Sequence, residues 1–256
     1  MNRRAQRVKE LIARFRETYP DAHCELNFNN ALELLVATIL SAQCTDKRVN
    51  QVTVSLFKKY PSAAAYAAAD PAELENDIKS TGFFRNKTKS LRGMSSDLVK
   101  RFGGEVPKSM DELTSLAGVG RKTANVVLGN AFQLNEGIVV DTHVARLSHR
   151  LGLTKETDAE KIETDLMQLV PREDWTLFSH WLIWHGRRRC TAQRPDCEGC
   201  EVRTLCPSYP IVSSAEKKRN GPPPSRARGT SDFAKASSDK TARQAETAKR
   251  RRGETK

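Results

Sequence analysis

The sequence predicts an all-α fold, and three observations support this fold class. Apolar residues recur with a period near 3.6 through most of residues 1–186. The strict alternation of a half-buried strand is not sustained, and Ile138, Val139 and Val140 make only a short apolar run. No stretch of about 18 apolar residues occurs, so a membrane-spanning helix and a secretory signal are both disfavoured.

The predicted helices follow one another along the chain. The apolar face of the first helix contains Val8, Leu11, Ile12 and Phe15. Asp70 provides an N-cap and Pro71 a first-turn proline for the segment PAELENDIKS. Further helices are predicted at about 31–41, 45–60, 84–102, 121–132, 142–151, 157–169 and 174–186. The last of these carries aromatic residues at helical spacing, which we expect to lie in the core.

The net charge favours nucleic acid as a partner. The chain has 43 Lys and Arg against 31 Asp and Glu, a formal charge of +12. Residues 212–256 carry 13 basic and 5 acidic residues, and Phe233 is almost the only large apolar residue among them. Such a segment buries too little apolar surface to offset the entropy of ordering, so it is predicted to be a disordered basic tail.

Four of the six cysteines crowd together. Cys190, Cys197, Cys200 and Cys206 fall within 17 residues, whereas Cys24 and Cys44 are isolated. Crosslinks within so short a loop would stabilise little, so a metal site in a reducing compartment is the better interpretation. Zinc and an iron–sulfur cluster both accept four thiolates.

A glycine-containing turn joins a short helix to a longer one in the segment 111–132. Gly118, Val119 and Gly120 permit positive φ and a close approach of the backbone, and the helix that begins at Arg121 presents unpaired N–H groups. This arrangement can bind phosphate. The alternative is an ordinary turn between packed helices.

Three motifs together resemble one family. LAGVGRKTANVVL, then VVDTHVARL from Val139, then the C-x6-C-x2-C-x5-C cluster resemble the endonuclease III family of base excision DNA glycosylases, in the helix-hairpin-helix superfamily. The resemblance covers about residues 5–210. It implies a two-domain helix-hairpin-helix fold, with residues 1–23 and 137–211 in a cluster domain that holds the loop 190–206. Residues 24–136 would form the second domain, with the hairpin at 111–132, and residues 212–256 the tail.

The resemblance also implies catalytic residues. Lys122 matches the family's nucleophile, which forms a Schiff base with the sugar, and Asp141 matches its essential carboxylate. Partial burial, the helix N-terminus and Arg121 would all favour a neutral lysine. Otherwise Lys122 is an exposed lysine in a first helical turn, and Asp141 is an N-cap, a role compatible with catalysis. His143 is expected to be an exposed helical histidine.

Candidate DNA contacts come from three regions. Gln43 matches a residue that the family inserts beside the orphaned base, and Phe83, or its neighbour Phe84, matches a second wedge position where leucine is common. Burial in the core is the alternative for either phenylalanine. The hairpin residues Gly118, Val119, Gly120 and Arg121 would contact phosphate. Among the arginines near the cysteines, Arg187 and Arg194 are candidates for phosphate contact, and a solvated basic loop is the alternative.

The expected activity follows from the same resemblance. The chain would be a bifunctional DNA glycosylase and AP lyase that acts on oxidised pyrimidines or abasic sites in double-stranded DNA, as a monomer with one 4Fe-4S cluster. A zinc site, a glycosylase without lyase activity and a non-enzymatic DNA-binding protein are the alternatives. We expect a bacterial-type cytoplasmic, nucleoid-associated protein without a signal or transit peptide and without membrane contact.

Overall fold

A computed structural model describes residues 3–209 of the chain. It contains α1 Arg3–Thr18, α2 Ala31–Ser41, α3 Asp46–Lys59, α4 Ala63–Ala68, α5 Pro71–Ile78, α6 Phe84–Phe102, α7 Met110–Thr114, α8 Arg121–Ala131, α9 Thr142–Arg150, α10 Ala159–Met167 and α11 Trp175–Arg188. Short 3-10 turns lie at Lys79–Thr81, Arg172–Asp174 and Arg203–Leu205. No strand occurs between residues 3 and 209, so the all-α prediction is confirmed. The predicted tail, 212–256, lies outside the described residues.

The helix boundaries follow local capping chemistry. The side chains of Asn30, Thr45, Ser62 and Asp70 each accept a hydrogen bond from an N–H of the first turn that follows. The helix missed by the sequence analysis is α4, whose segment AAAYAA has no clear apolar period and begins after the Ser62 cap.

Within the described part of the chain, no helix has the length and apolar character needed to cross a bilayer.

The buried hydrophobic residues form two clusters within one compact unit. The first cluster runs from Leu26 to Leu128 and draws on α2 to α8. The second combines α1 with α9, α10 and α11. The aromatic residues predicted to be core lie in this second cluster: Trp175, Phe178, Trp181 and Trp184. These clusters follow the predicted division at residues 24–136, although the division into two domains stays a prediction.

Two contacts matter most for the position of the candidate site. Helix α2 is apolar on nearly all sides and packs against α3, α6 and α8. Helix α9 packs against α11, which leads directly into the cysteine loop. The first turn of α8, the start of α9 and the cysteine loop are thereby all anchored to packed helices.

Candidate active site

The hairpin turn exposes backbone at the start of α8. Gly118 is exposed and has φ 75°, in the left-handed region that favours glycine. A Cβ at this position would lie 2.6 Å from Ser90 Cβ, so glycine is also needed for the turn to pack on α6. Gly120 is the N-cap of α8 and offers no side-chain cap. The first-turn amides therefore keep the capacity to bind an anion that the sequence predicts.

Val119 contributes to this turn by packing. Its side chain is buried, and its N–H donates to the carbonyl of Leu116 at 3.2 Å. Val119 therefore anchors the hairpin between its two glycines and presents little surface for the predicted contact with DNA.

Lys122 lies on the solvent side of α8. It is exposed, whereas Ala124, Val127 and Leu128 form the buried face. The partial burial expected from the sequence is therefore absent in the protein alone. The ammonium group is accessible to a sugar that approaches the hairpin turn.

Arg121, next to this lysine, is held by an internal partner. Its guanidinium donates to both carboxylate oxygens of Glu163, at 2.8 Å and 3.0 Å, and Asn125 Nδ2 donates to the same carboxylate at 2.8 Å. The Glu163 side chain is only 6% exposed. Hydrogen bonding to Glu163 raises the pKa of Arg121. Arg121 therefore fastens the start of α8 to α10, and its predicted phosphate contact would compete with this pair.

Asp141 is the N-cap of α9. Its Oδ1 accepts hydrogen bonds from the N–H groups of His143 and Val144, both at 2.8 Å. The capping role is thus confirmed, and it uses only one carboxylate oxygen. His143 is half-buried instead of exposed, and its Nδ1 lies 3.2 Å from Arg146 Nη2. Burial lowers the pKa of His143, while the charge of Asp141 acts in the opposite direction.

The two candidate wedge residues share an unusual backbone conformation. Gln43 has φ 57° and Phe83 has φ 48°, both in the left-handed region. Gln43 is exposed in the loop between α2 and α3, and Phe83 is 65% exposed just before α6. Phe84 instead packs against the first hydrophobic cluster. Exposure therefore favours Phe83 over Phe84 as the wedge.

The four clustered cysteines line one cavity. Cys190, Cys197, Cys200 and Cys206 surround it together with His185. Burial raises the pKa of Cys200 to about 11, and Glu201 and the neighbouring thiols add to this effect. Burial likewise raises the pKa of Cys206. Such thiols need positive charge to become thiolates, which a bound metal centre provides. The donor set therefore fits a group of four thiolate ligands.

Two further lining residues contact the thiols of this cavity. Arg150 Nη1 lies 3.1 Å from Cys190 Sγ, and His185 Nε2 lies 3.5 Å from Cys200 Sγ. Between residues 3 and 209, no group of three or more His, Cys, Asp or Glu side chains has the spacing of a single-ion site. The fit of the cavity thus rests on its four lining thiols and not on a coordination geometry.

Most of the arginines around the cysteine loop are paired. Arg187 forms ion pairs with Glu25 and, at 2.8 Å, with Asp46. Arg189 pairs with Asp196 and Glu201. Arg194, by contrast, is exposed, and within the described residues its guanidinium forms no ion pair. Of the two arginines predicted to contact phosphate, Arg194 is the more available, because Arg187 of α11 is held by Glu25, which precedes α2, and by Asp46, the first residue of α3.

The sequence analysis missed three buried carboxylate or ammonium side chains among the described residues, Lys87, Glu163 and Asp174, of which the first two bear on the site. A signal for the first was available, since Lys87 lies four residues before buried Leu91 on the apolar face of α6. Glu163 similarly lies three residues before buried Leu166 in α10. A charged residue on a helix face that packs inward indicates a specific internal partner.

Comparisons with known proteins identify the family. A model of the HhH-GPD superfamily of base excision DNA repair proteins matches residues 36–172. Endonuclease III of Synechocystis sp. is 53% identical over 208 residues, which span 81% of this chain and 95% of that protein. Endonuclease III of Bacillus subtilis is 46% identical over 202 residues, or 78% and 92% of the two chains.

Solved structures agree with this result. A non-covalent endonuclease III–DNA complex has a TM-score of 0.78 at 43% identity, and the match covers 82% of this chain and 98% of that one. A trapped endonuclease III–DNA covalent intermediate gives the same values. The chain therefore belongs to the endonuclease III family, within the HhH-GPD superfamily of base excision DNA repair proteins, and is a DNA glycosylase.

Proposed function

We propose that this glycosylase is bifunctional: it releases oxidised pyrimidines from double-stranded DNA and then cleaves the strand as an AP lyase, through a Schiff base on Lys122. The observation that carries the proposal is the exposed Lys122 in the first turn of α8, two residues after the glycines of an anion-binding turn. A related endonuclease III was trapped as a covalent intermediate with DNA, which supports a covalent mechanism.

The proposed reaction has four steps. The neutral Lys122 Nζ attacks C1′ of the damaged nucleotide, the N-glycosidic bond breaks, and the base leaves with a proton. The C1′–O4′ bond then breaks, O4′ takes up a proton from solvent, and a protonated Schiff base forms between Nζ and C1′. Removal of a proton from C2′ then lets the C3′–O bond break, and the 3′ phosphate departs. Water finally hydrolyses the Schiff base and regenerates the lysine.

Asp141 has two compatible tasks in this scheme. Its Oδ1 caps α9, so the carboxylate has a fixed orientation. Its negative charge can stabilise the positive charge that develops on the sugar as the base departs, and it can accept protons during elimination. Because both cap bonds use Oδ1, the other oxygen is not needed for capping.

We further propose that Cys190, Cys197, Cys200 and Cys206 hold one 4Fe-4S cluster. The four thiols of the shared cavity support this assignment, together with the family's ligand spacing. The bound cluster would supply positive charge to the thiolates and fix the loop after α11. Gln43 and Phe83 would fill the stack that the extruded base vacates, which their exposure supports.

Borohydride trapping tests the nucleophile directly. Incubation with a duplex that contains thymine glycol should yield a covalent protein–DNA complex, and Lys122→Ala should abolish it. Lys161→Ala is the matched control, because Lys161 is an exposed lysine in the first turn of α10. If Lys122→Ala is trapped as efficiently as the wild type, the assignment of the nucleophile is wrong.

Product analysis with the same duplex separates the remaining alternatives. Base release with strand cleavage supports the bifunctional enzyme. Base release without cleavage identifies a glycosylase that lacks lyase activity. A parallel panel with intact and oxidised bases tests the pyrimidine preference: equal release of undamaged adenine would contradict it.

A further inference from the structure

We propose that Lys87 is a positioning residue for base extrusion, because its buried ammonium group ties together the two loops that carry Gln43 and Phe83. The inference rests on the proposed wedge roles of these two residues. Lys87 itself lies in the first turn of α6 and is only 4% exposed, so it acts through the loops and not on the DNA.

Two hydrogen bonds define the connection. Lys87 Nζ donates to the carbonyl of Leu40 and to the carbonyl of Thr81, both at 2.8 Å. Leu40 is in the last turn of α2, three residues before Gln43. Thr81 ends a 3-10 turn, two residues before Phe83. One ammonium group therefore joins two segments that are 41 residues apart in sequence, each just ahead of a wedge candidate.

The two carbonyls need this donor. Carbonyls at the end of a helix have no partner within the helix, and buried ones must find a donor elsewhere. The backbone N–H of Lys87 also donates to the carbonyl of Phe83, at 3.1 Å. Lys87 thus holds the Phe83 loop at two points, through its backbone and through its side chain.

The burial of Lys87 is itself unusual. Lysine is almost never fully buried without a partner, and here both acceptors are neutral carbonyls. Burial lowers the pKa of Lys87, and the nearby thiol of Cys44 acts in the opposite direction. A methionine or leucine would fill the same space without this penalty. The amine is therefore best explained by what its hydrogen bonds hold in place.

Each of the two segments that Lys87 joins leads to a residue with a strained backbone. Gln43 and Phe83 both have left-handed φ angles, which non-glycine residues adopt only when the surroundings enforce them. Insertion into a duplex at two points requires the two side chains to keep a fixed separation. A rigid link between their loops lowers the entropy lost when they insert together.

The test compares two duplexes that differ only in the cost of extrusion. In one, thymine glycol faces adenine. In the other, it faces a stable tetrahydrofuran analogue of an abasic nucleotide, which an AP lyase cannot cleave, so the lesion is less firmly stacked and paired. Base release is measured under single-turnover conditions at a temperature where every variant is folded. The variant is Lys87→Met, which keeps the apolar stem and removes the donors, and the control is Lys89→Met, at an exposed position of the same helix.

We expect Lys87→Met to slow base release from the paired duplex at least about 10-fold and from the unopposed lesion less than about 3-fold. Lys89→Met should change neither rate. Fluorescence of 2-aminopurine opposite the lesion should show weaker unstacking with Lys87→Met. An equal loss on both duplexes, or no loss on either, overturns the proposal, because a purely structural or an unimportant lysine would give those results.

Two further arms keep the test decisive. Lys87→Gln retains a donor on a shorter stem and should lie between wild type and Lys87→Met, so it replaces the latter if that variant does not fold. In a Gln43→Ala/Phe83→Ala background, Lys87→Met should cause no additional loss, and a full additional loss contradicts the proposal. If the wild type releases no base from either duplex, the proposed function fails, and the role of Lys87 fails with it.

Discussion

Two substitutions of Asp141 distinguish its role as the N-cap of α9 from its proposed role in base release. Its Oδ1 accepts two hydrogen bonds of 2.8 Å from the first turn of α9. Asp141→Asn keeps an oxygen in the same place, so only the charge near the helix N-terminus is lost, at about 0.5 kcal/mol. Asp141→Ala also loses the cap, which costs about 1–2 kcal/mol and lowers Tm by roughly 2–8 °C for a domain of this size.

The rate of base release should not follow the order of stability of these two variants. Both variants lack the negative charge that we propose stabilises the sugar as the base departs, so both should lose base release by about 100-fold or more under single-turnover conditions. Asp158 is the matched control, because its side chain caps α10 through two N–H groups at 3.1 Å. Asp158→Ala should destabilise the protein and leave base release near the wild-type rate.

Two results would refute this reasoning. If Asp141→Asn retains near wild-type base release, the carboxylate is a cap and not a catalytic group. If Asp141→Ala unfolds at the same temperature as Asp141→Asn, the cap bonds do not stabilise α9. Thermal unfolding followed by circular dichroism and gel-based base release measure the two quantities on the same preparations.

Two further predictions concern buried polar groups. Arg121→Met and Glu163→Met should each lower the free energy of urea unfolding by about 3 kcal/mol, and the double variant should lose about 2 kcal/mol less than the sum of the two. The value is at the low end for a buried pair, because the Arg121 side chain is 38% exposed. Strictly additive losses would contradict the energetic coupling of the pair. Burial lowers the pKa of His180 to about 4, below its ordinary value near 6.5. The unfolded chain therefore binds the proton more readily between these pH values, and up to about 3 kcal/mol of stability is lost as the pH falls from 6.5 to 4. His180→Gln should make the free energy of unfolding fall less steeply as the pH decreases through this window, which urea unfolding at several pH values measures; an unchanged pH dependence would contradict the reasoning.

The sequence predicted the helices well because their signals are local. Apolar periodicity and caps such as Asp70 depend on residues within one or two turns. The boundaries of α2 and α6 agree with the predicted segments 31–41 and 84–102. The exception, α4, is an alanine-rich segment in which nearly every position is apolar or small, so periodicity carries no information.

The partners of the site residues could not be predicted in the same way. Arg121 and Glu163 are 42 residues apart, and Arg187 and Glu25 are 162 apart. Such pairs form only when packed helices bring their side chains together, and they leave no pattern along the chain. Arg121 was therefore assigned to DNA from its place in the hairpin and Arg187 from its place beside the cysteine loop, since nothing along the chain indicated either carboxylate partner.

These pairs change how the protein can attract DNA. Arg187 and Arg189 are each neutralised by two carboxylates, so the cysteine loop is less basic than its sequence indicates. The exposed cations that remain include Arg194 in the cysteine loop and Lys122 in the first turn of α8, where the backbone amides have no side-chain cap. Each cation that neutralises a phosphate contributes about 0.9 to the slope of log affinity against log salt. The salt dependence of binding therefore counts the cations of the folded part that reach phosphates. Specificity would come instead from the extruded base and from Gln43 and Phe83, which we propose replace it in the stack.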